Sequence, residues 1–394
     1  MMSDAILVFN AGSSSIKFAL FETYDRGDPR LFCKGLLDED QDEPRLIVKD
    51  AGGHVVLERH CAPSEAADGG LFGDVLDWVE GQGKALVAIA HRVVHGGRHF
   101  TYPVRISLEV IEALDGLTPL APLHQPRCLT PIRKISSLRP NLPQIACFDT
   151  AFHHGLKPPV SRFALPRRFE EIGIRRYGFH GLSYEYVASR LADLSPSLAA
   201  GRTVVAHLGN GASLCAMQNG RSIDTTMGLT ALDGVVMGTR CGAIDPGVLL
   251  YLLQAMQMSA ADVERLLYRE SGLLGVSGIS HDVRTLLASD DPRAAEALDL
   301  FAFSIARQIS AMASSLGGMD CLVFTGGIGE HASTIRADVC VRLRWLGVEL
   351  DDKANELSKN RISPKESRID VRIIPADEEI VIARHCSTLV ELKG

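Results

Sequence analysis

The stretch Val8-Phe9-Asn10-Ala11-Gly12-Ser13-Ser14-Ser15-Ile16-Lys17-Phe18 decides the fold. It joins the apolar run Ile6–Phe9 to the run Ile16–Phe21 through a glycine and serine turn, a pattern that predicts a β-hairpin. Ile16, Phe18 and Leu20 would share one face and Lys17 the other, and the small turn residues leave room for a ligand. Half a chain later the pattern returns as the run Thr203–Leu208, the turn Gly209-Asn210-Gly211-Ala212-Ser213 and the run Leu214–Met217. A repeat of that length predicts two copies of one α/β domain facing each other rather than a solenoid. Further on, Leu298, Phe301, Ile305, Ile309, Met312 and Leu316 fall three or four apart, which predicts an amphipathic helix over 294–316 stopped by Gly317-Gly318. A buried strand Cys321–Phe324, a third glycine turn Thr325–Glu330 and a helix from Ser333 to Trp345 are expected next. Backbone N–H groups at such a helix start favour anions. The acidic stretch 38–70 reads as a peripheral hairpin or loop, and proline-rich passages at Pro119–Pro131 and Pro140–Pro143 lead to Phe148-Asp149. A domain boundary is expected near residue 150: a first domain of 1–150 that takes back the tail 383–394, and a second of 151–382.

The 394 residues are 46% hydrophobic and 23% charged, ordinary values that exclude disordered and collagen-like chains. Lysine plus arginine total 41 against 48 acidic residues, a net charge of -7, and no basic block exceeds a pair of arginines. Nucleic acid is therefore not expected as a partner. Nine cysteines without a C-x-x-C pair read as reduced thiols of a cytoplasmic protein, neither a disulfide framework nor a zinc site. The first residues lack the cationic region of a signal peptide, and no apolar run approaches the roughly eighteen residues of a membrane span, so no membrane segment is expected.

No G-x-x-x-x-G-K-[ST] loop, Rossmann G-x-G-x-x-G, G-x-S-x-G elbow or H-E-x-x-H occurs. What remains is three separated glycine turns, each after a strand, the arrangement by which duplicated sugar-kinase and actin-like folds hold ATP. Other stretches are Ala90-His91-Arg92-Val93-Val94-His95-Gly96-Gly97, Pro119-Leu120-Ala121-Pro122-Leu123-His124, Phe148-Asp149-Thr150-Ala151-Phe152-His153 and Tyr177-Gly178-Phe179-His180-Gly181. They continue with Met237-Gly238-Thr239-Arg240, Asp282-Val283-Arg284 and Asp377-Glu378-Glu379. On these motifs, in order along nearly the whole chain, the sequence resembles the acetate kinase family of the acetate and sugar kinase, heat-shock chaperone and actin superfamily. The resemblance implies an α/β fold of two duplicated actin-like, ribonuclease H-like domains with a nucleotide cleft between them. It also implies reversible, direct in-line phosphoryl transfer from ATP to acetate, giving acetyl phosphate, by a homodimer whose cleft closes over substrate.

Moving a phosphoryl group between ATP and a carboxylate gathers negative oxygens, so catalysis is mostly charge neutralisation and alignment. By resemblance Arg92 binds the carboxylate or the phosphoryl group, and Arg240 and His180 stabilise the equatorial oxygens of the transition state. His124 matches a family active-site histidine, with a structural role in orienting its neighbours as the alternative. Asp149 matches the family's catalytic acid or base. A carboxylic acid with a pKa near 4 is already ionised at pH 7, however, so Asp149 is expected instead to orient Mg²⁺-bound water or one of the arginines.

The resemblance gives Mg²⁺, or Mn²⁺, to Asn10 and Glu378, with Glu379 the competitor, since adjacent carboxylates also suit the first turn of a helix. For ATP or ADP, Lys17 would reach the terminal phosphates, with Ser13 and Ser15 of the same hairpin on the nucleotide. His207, Leu208, Gly209, Asn210 and Gly211 would meet phosphate, and Asp282, Val283 and Arg284 the adenosine. Gly327, Ile328, Gly329, Glu330 and His331 would lie beside sugar and base, His331 departing from the family's usual asparagine. Val94, Leu123, Phe179 and Ala231 match an apolar slot for the methyl group. Ala231 is normally proline, so room for one more carbon is expected; the alternative is that Leu229, normally phenylalanine, or a small backbone shift absorbs the space. Two alternatives stand beside this reading: a propionate or butyrate kinase, and an actin- or chaperone-like ATPase, which gives no reason for Arg92, Arg240 and His180.

Overall fold

The computed structural model describes residues 4–12, 15–24, 27–38, 44–60 and 70–390. Ser13 lies outside them. The chain divides into two compact units, the first Met1–Ala151 with Asp377–Gly394 and the second Phe152–Ala376.

The first unit is built on strands β1 (Asp4–Ala11), β2 (Ile16–Glu22), β3 (Arg30–Asp38), β4 (Arg45–Asp50), β5 (Val55–His60), β6 (Ala85–Val93), β7 (Val104–Arg105) and β8 (Gln144–Phe148). Their order in the sheet is β5-β4-β3-β2-β1-β6-β8-β7. The second unit carries β9 (Arg202–Leu208), β10 (Ala212–Gln218), β11 (Arg221–Thr225), β12 (Cys321–Thr325) and β13 (Asp370–Ile373) in the order β11-β10-β9-β12-β13. In both sheets a hairpin strand and its antiparallel neighbour lie on one side of a central strand, and two parallel strands lie on the other. β3-β2-β1-β6-β8 thus repeats as β11-β10-β9-β12-β13, and the duplicated α/β fold read from two glycine hairpins is the observed one.

The hairpin itself is more deeply buried than its pattern suggested. Ala19 and Phe21 are as buried as Phe18 and Leu20, and on β2 only Lys17 is exposed. Both faces of β1 are covered. Phe9 meets Phe72 of the helix Gly70–Glu80, while Asn10, pointing the other way, meets Glu378 of the helix Glu378–Leu389. A strand buried on both sides loses the alternation that would mark its faces in the sequence. The stretch 45–60 forms the antiparallel pair β4 and β5 at the sheet edge.

Other departures have local causes. β6 runs from Ala85 through Arg92 to Val93, because it pairs with β8 to that point. The passage Pro119–Pro131 holds the helix Gln125–Leu138, with one proline in its first turn and Pro131 inside it. Thr325–Glu330 is not an open turn: the helix Gly326–His331 starts directly off β12. The helix expected to run to Trp345 stops at Arg342 and tightens into a 3₁₀ turn, Arg344–Leu346, closed by Gly347 at φ 94°. The long helix Pro292–Leu316 is capped by the Asp291 side chain, which accepts from Arg293 N, and ends on left-handed Gly317, as expected. No helix among the described residues is long and apolar enough to cross a membrane.

Candidate active site

In the first unit the returning helix Glu378–Leu389 packs on β1, β6 and β8 and brings its N-terminal carboxylates to the end of β1. Asp377 caps that helix by accepting from Ile380 N. Glu378 and Glu379 turn to Asn10, whose Nδ2 donates to Glu378 Oε2 at 3.0 Å and Glu379 Oε1 at 2.9 Å. Asn10 Oδ1 accepts from Arg92 Nη1 at 3.2 Å. Arg92, on the neighbouring parallel strand, grips Asp149 with two nitrogens, Nη2 to Oδ2 at 2.6 Å and Nε to Oδ1 at 3.0 Å. Glu378 Oε2 stands 3.7 Å from Arg92 Nε. Burial pushes the guanidinium pKa down, but Asp149 and Glu378 outweigh it and leave the pKa above the ordinary arginine value. Asp149 and Glu378 thus stand against one guanidinium, with Glu379 beside them on Asn10, an excess of negative charge that suits a divalent cation. Among the described residues no cluster of His, Cys, Asp and Glu forms a cage of protein ligands alone. An amide oxygen with one or two carboxylates is the donor set of Mg²⁺, which keeps waters and takes the rest of its shell from phosphates.

Lys17 lies directly opposite Asn10 in the hairpin register and is exposed. Ser15 closes the turn, its carbonyl accepting from Gly12 N at 2.9 Å. Val94 is buried and Leu123 half-buried, and His124 stands at the start of the helix Gln125–Leu138 without capping it. Gln125, the next residue, ties that helix to His95 by accepting from its N–H and donating to its carbonyl, each at 3.1 Å.

The second unit gathers a different set. His180 adopts a left-handed conformation, φ 57°, at the start of the helix Gly181–Leu194. Its Nδ1 is 2.8 Å from Ser213 Oγ, which bonds in turn to the Tyr184 hydroxyl at 2.5 Å. His207 at the end of β9 stacks on His180 with centroids 4.3 Å apart, and its Nδ1 meets Ser183 Oγ at 2.8 Å. Arg240 is buried, and its Nη1 donates to the Ala231 carbonyl at 2.6 Å. Gly211 explains its own presence, because a Cβ there would come within 2.7 Å of Arg240 Nη2 and 3.5 Å of His180 Nε2. The loop Gly209–Gly211 therefore lies against the guanidinium and the imidazole, a bare backbone beside two donors that fits a phosphate. The structure brings His180, His207, Gly211, Arg240 and the Ala231 carbonyl together in this unit. Asn10, Arg92, Asp149 and Glu378 form the corresponding group in the first.

Asp282 caps the short helix Val283–Leu287, accepting from Arg284 N at 2.8 Å. The Arg284 guanidinium folds back on the same carboxylate, with Nη2 2.6 Å from Oδ2, and its side chain is 90% exposed. That bond holds the Asp282 pKa below the usual carboxylate value. Val283 is buried under them. In the helix Gly326–His331, Gly326 has φ 78°, and a Cβ on it would lie 2.8 Å from the Leu208 carbonyl, so this segment presses on the end of β9. At Gly327 a Cβ would meet nothing within 4 Å. Glu330 accepts from Ala376 N at 2.9 Å, and the His331 side chain is 80% exposed.

Three supporting residues escaped the sequence reading. His153 Nε2 lies 3.0 Å from the Phe179 carbonyl, which can only accept, so the ring carries its proton there and takes one from Ser222 on Nδ1 at 2.7 Å. Burial drops the His153 pKa to about 4. Arg176 Nη1 reaches the carbonyls of Thr225, Thr226 and Met227, which steady the chain leading to Ala231. Arg336 is wholly buried beneath the helix Gly326–His331. His153 ends a quoted motif and Arg176 adjoins one, though neither was given a role, whereas Arg336 sits in a helix whose pattern gives no sign of what its arginine touches.

The sequence matches the profile of the Acetokinase family over residues 5–384. A protein from Rhodopseudomonas palustris named acetate kinase is 53% identical over 99% of both chains, and one of the same name from Rhizobium meliloti is 45% identical over 98% of both. Among solved structures, a propionate kinase from Francisella tularensis superposes with a TM-score of 0.88 at 35% identity, covering 97% of this chain and 98% of that one. Porphyromonas gingivalis acetate kinase gives a TM-score of 0.84 at 35% identity, covering 98% of this chain and all of the other.

Proposed function

The chain belongs to the acetokinase family, and on that premise we infer that it transfers a phosphoryl group reversibly between ATP and acetate, giving acetyl phosphate and ADP. It is a phosphotransferase with a carboxyl group as acceptor. A nucleotide-switched ATPase is not favoured. The observation that carries the residue-level reading is the grip of Arg92 on Asp149, a partly buried arginine prepared by a buried carboxylate that needs no proton from an ionised substrate.

Acetate arrives charged at neutral pH, since its pKa is near 4. Arg92 would bind that charge, and Asp149 would hold the guanidinium flat and in register; this geometry supports the orienting role over that of a base. Arg240 and His180 would stabilise the equatorial oxygens of the group in flight, Arg240 fixed by the Ala231 carbonyl and His180 by Ser213. The bare backbone of Gly209–Gly211 would cradle phosphate, with Lys17 on the terminal phosphates. Asn10 and Glu378, with Glu379 alongside, would hold Mg²⁺, which when bound offsets the charge of the nucleotide's terminal phosphates. Asp282–Arg284 and Gly327–His331 would take the adenosine.

Val94, Leu123, Phe179 and Ala231 would receive the methyl group, with Ala231 in place of the family's proline admitting propionate as well. The helix Pro246–Gln254 supports a homodimer: none of its residues is buried, and Leu250 and Tyr251 stand more than half exposed. A cytoplasmic setting fits the reduced thiols of the described cysteines.

Trapping the product with hydroxylamine tests the activity. The expected result is acyl hydroxamate in proportion to ADP, only with acetate present. ADP released without a carboxylate, and no hydroxamate, would favour the switch ATPase.

A further inference from the structure

Arg336 is fully buried in the first turn of the helix Ser333–Arg342. Its Nη1 donates to the carbonyls of Gly329 and Glu330, each at 2.9 Å. Its Nε donates to Asn355 Oδ1 at 2.7 Å, and its Nη2 to the Asn355 carbonyl at 2.7 Å and Ser358 Oγ at 3.1 Å. Every one of these acceptors is neutral. Cys340, one turn along, has its thiol pushed up to about 12 by burial and so supplies no counter-charge. A buried cation with no carboxylate is costly, and an apolar side chain of similar volume would stabilise a core at least as well. The arginine therefore needs a reason beyond filling space.

That reason lies in what it holds. The helix Gly326–His331 has six residues, too few to satisfy the carbonyls of its last turn internally. Arg336 takes two of them. Asn355 completes the brace by donating from Nδ2 to the Ser333 carbonyl at 2.9 Å. The other end of the helix is fixed by Gly326 against Leu208. Between these two anchors the side bearing Gly327 is open. We propose that Arg336 is a positioning residue that holds Gly327–His331 in the shape that receives the nucleotide. The proposal rests on the reading of that segment as part of the adenosine site.

Lysine at this position keeps the charge but cannot span five acceptors in a plane. Arg336→Lys in the full chain should raise the KM for ATP at least about tenfold, with the KM for acetate and kcat within about threefold, and should weaken MgADP binding by calorimetry in the same proportion. A purely structural arginine would lower the melting temperature and leave the KM for ATP within twofold, which would overturn the proposal. Should the lysine variant not fold, Asn355→Ser leaves the guanidinium in place and withdraws its Nε acceptor. The expected result is then a KM for ATP about threefold higher with that for acetate unmoved, and an unmoved KM for ATP would overturn the proposal too. Wild type that fails to bind MgADP would remove the nucleotide reading itself, a failure distinct from a variant that binds normally.

Discussion

The two units solve the same electrostatic problem in opposite ways. In the first, Asp149 and Glu378 flank Arg92 while Glu379 joins Glu378 on Asn10, and the site is rich in negative charge. In the second, Arg240 is held by a carbonyl, and His180 and His207 by hydroxyls. Both sheets share one strand order, so the difference comes from what the elements after the shared hairpin bring to it. The returning helix brings carboxylates to β1, whereas β9 and β10 receive a histidine, a glycine backbone and an arginine. The lesson is a division of labour: one half can accept a cation, and the other can meet anions with an arginine and two histidines held by a carbonyl and hydroxyls.

If that division is right, Arg240→Ala removes the cationic centre of the second unit and should lower kcat by at least about a thousandfold in steady-state assays. The half-activating Mg²⁺ concentration should not move. A loss under tenfold would erase the contrast between the units.

Stability against pH probes both units through buried neutral histidines. Burial drops His91 in the first unit and His153 in the second from 6.5 to about 4. The unfolded chain then binds more protons than the native one across that interval, so the contribution is whole above pH 6.5 and is lost as pH falls toward 4. Each residue would account for about 3 kcal/mol of that loss. Urea midpoints should decline steadily over this window, and a level plot would show that the histidines titrate normally.

A smaller effect is expected from Gly211→Ala. The new methyl must push Arg240 Nη2 from 2.7 Å, so kcat should drop about thirtyfold with folding intact. Unchanged kcat would mean that the guanidinium does not depend on the loop. The mildest effect concerns acyl specificity. Wild type should use propionate within about tenfold of acetate in kcat/KM, and Ala231→Pro should widen the gap. Rejection of propionate by a thousandfold in wild type would remove the assigned role of Ala231.

Much of this was legible in the sequence, because glycine turns after apolar runs are local signals. The hairpins around Asn10 and Gly211 and the long helix ending at Gly317 were read directly from residue order. What hid from view depends on contacts between distant segments. Asn10 and Glu378 lie 368 positions apart, and no spacing rule joins them; only the family resemblance paired them. The helix Gln125–Leu138 was masked by its own prolines, and the full burial of β2 by the loss of alternation. Arg336 was silent for the same reason, as three of its five acceptors are backbone carbonyls that any sequence supplies and the other two lie on Asn355 and Ser358, about twenty residues on.

The division of labour is tested most directly by titrating Mg²⁺ against activity in Asn10→Ala and Arg240→Gln side by side. The account predicts at least a tenfold rise in half-activating Mg²⁺ for Asn10→Ala and none for Arg240→Gln, whatever activity each retains. Equal shifts in the two variants, or a shift confined to Arg240→Gln, would contradict it.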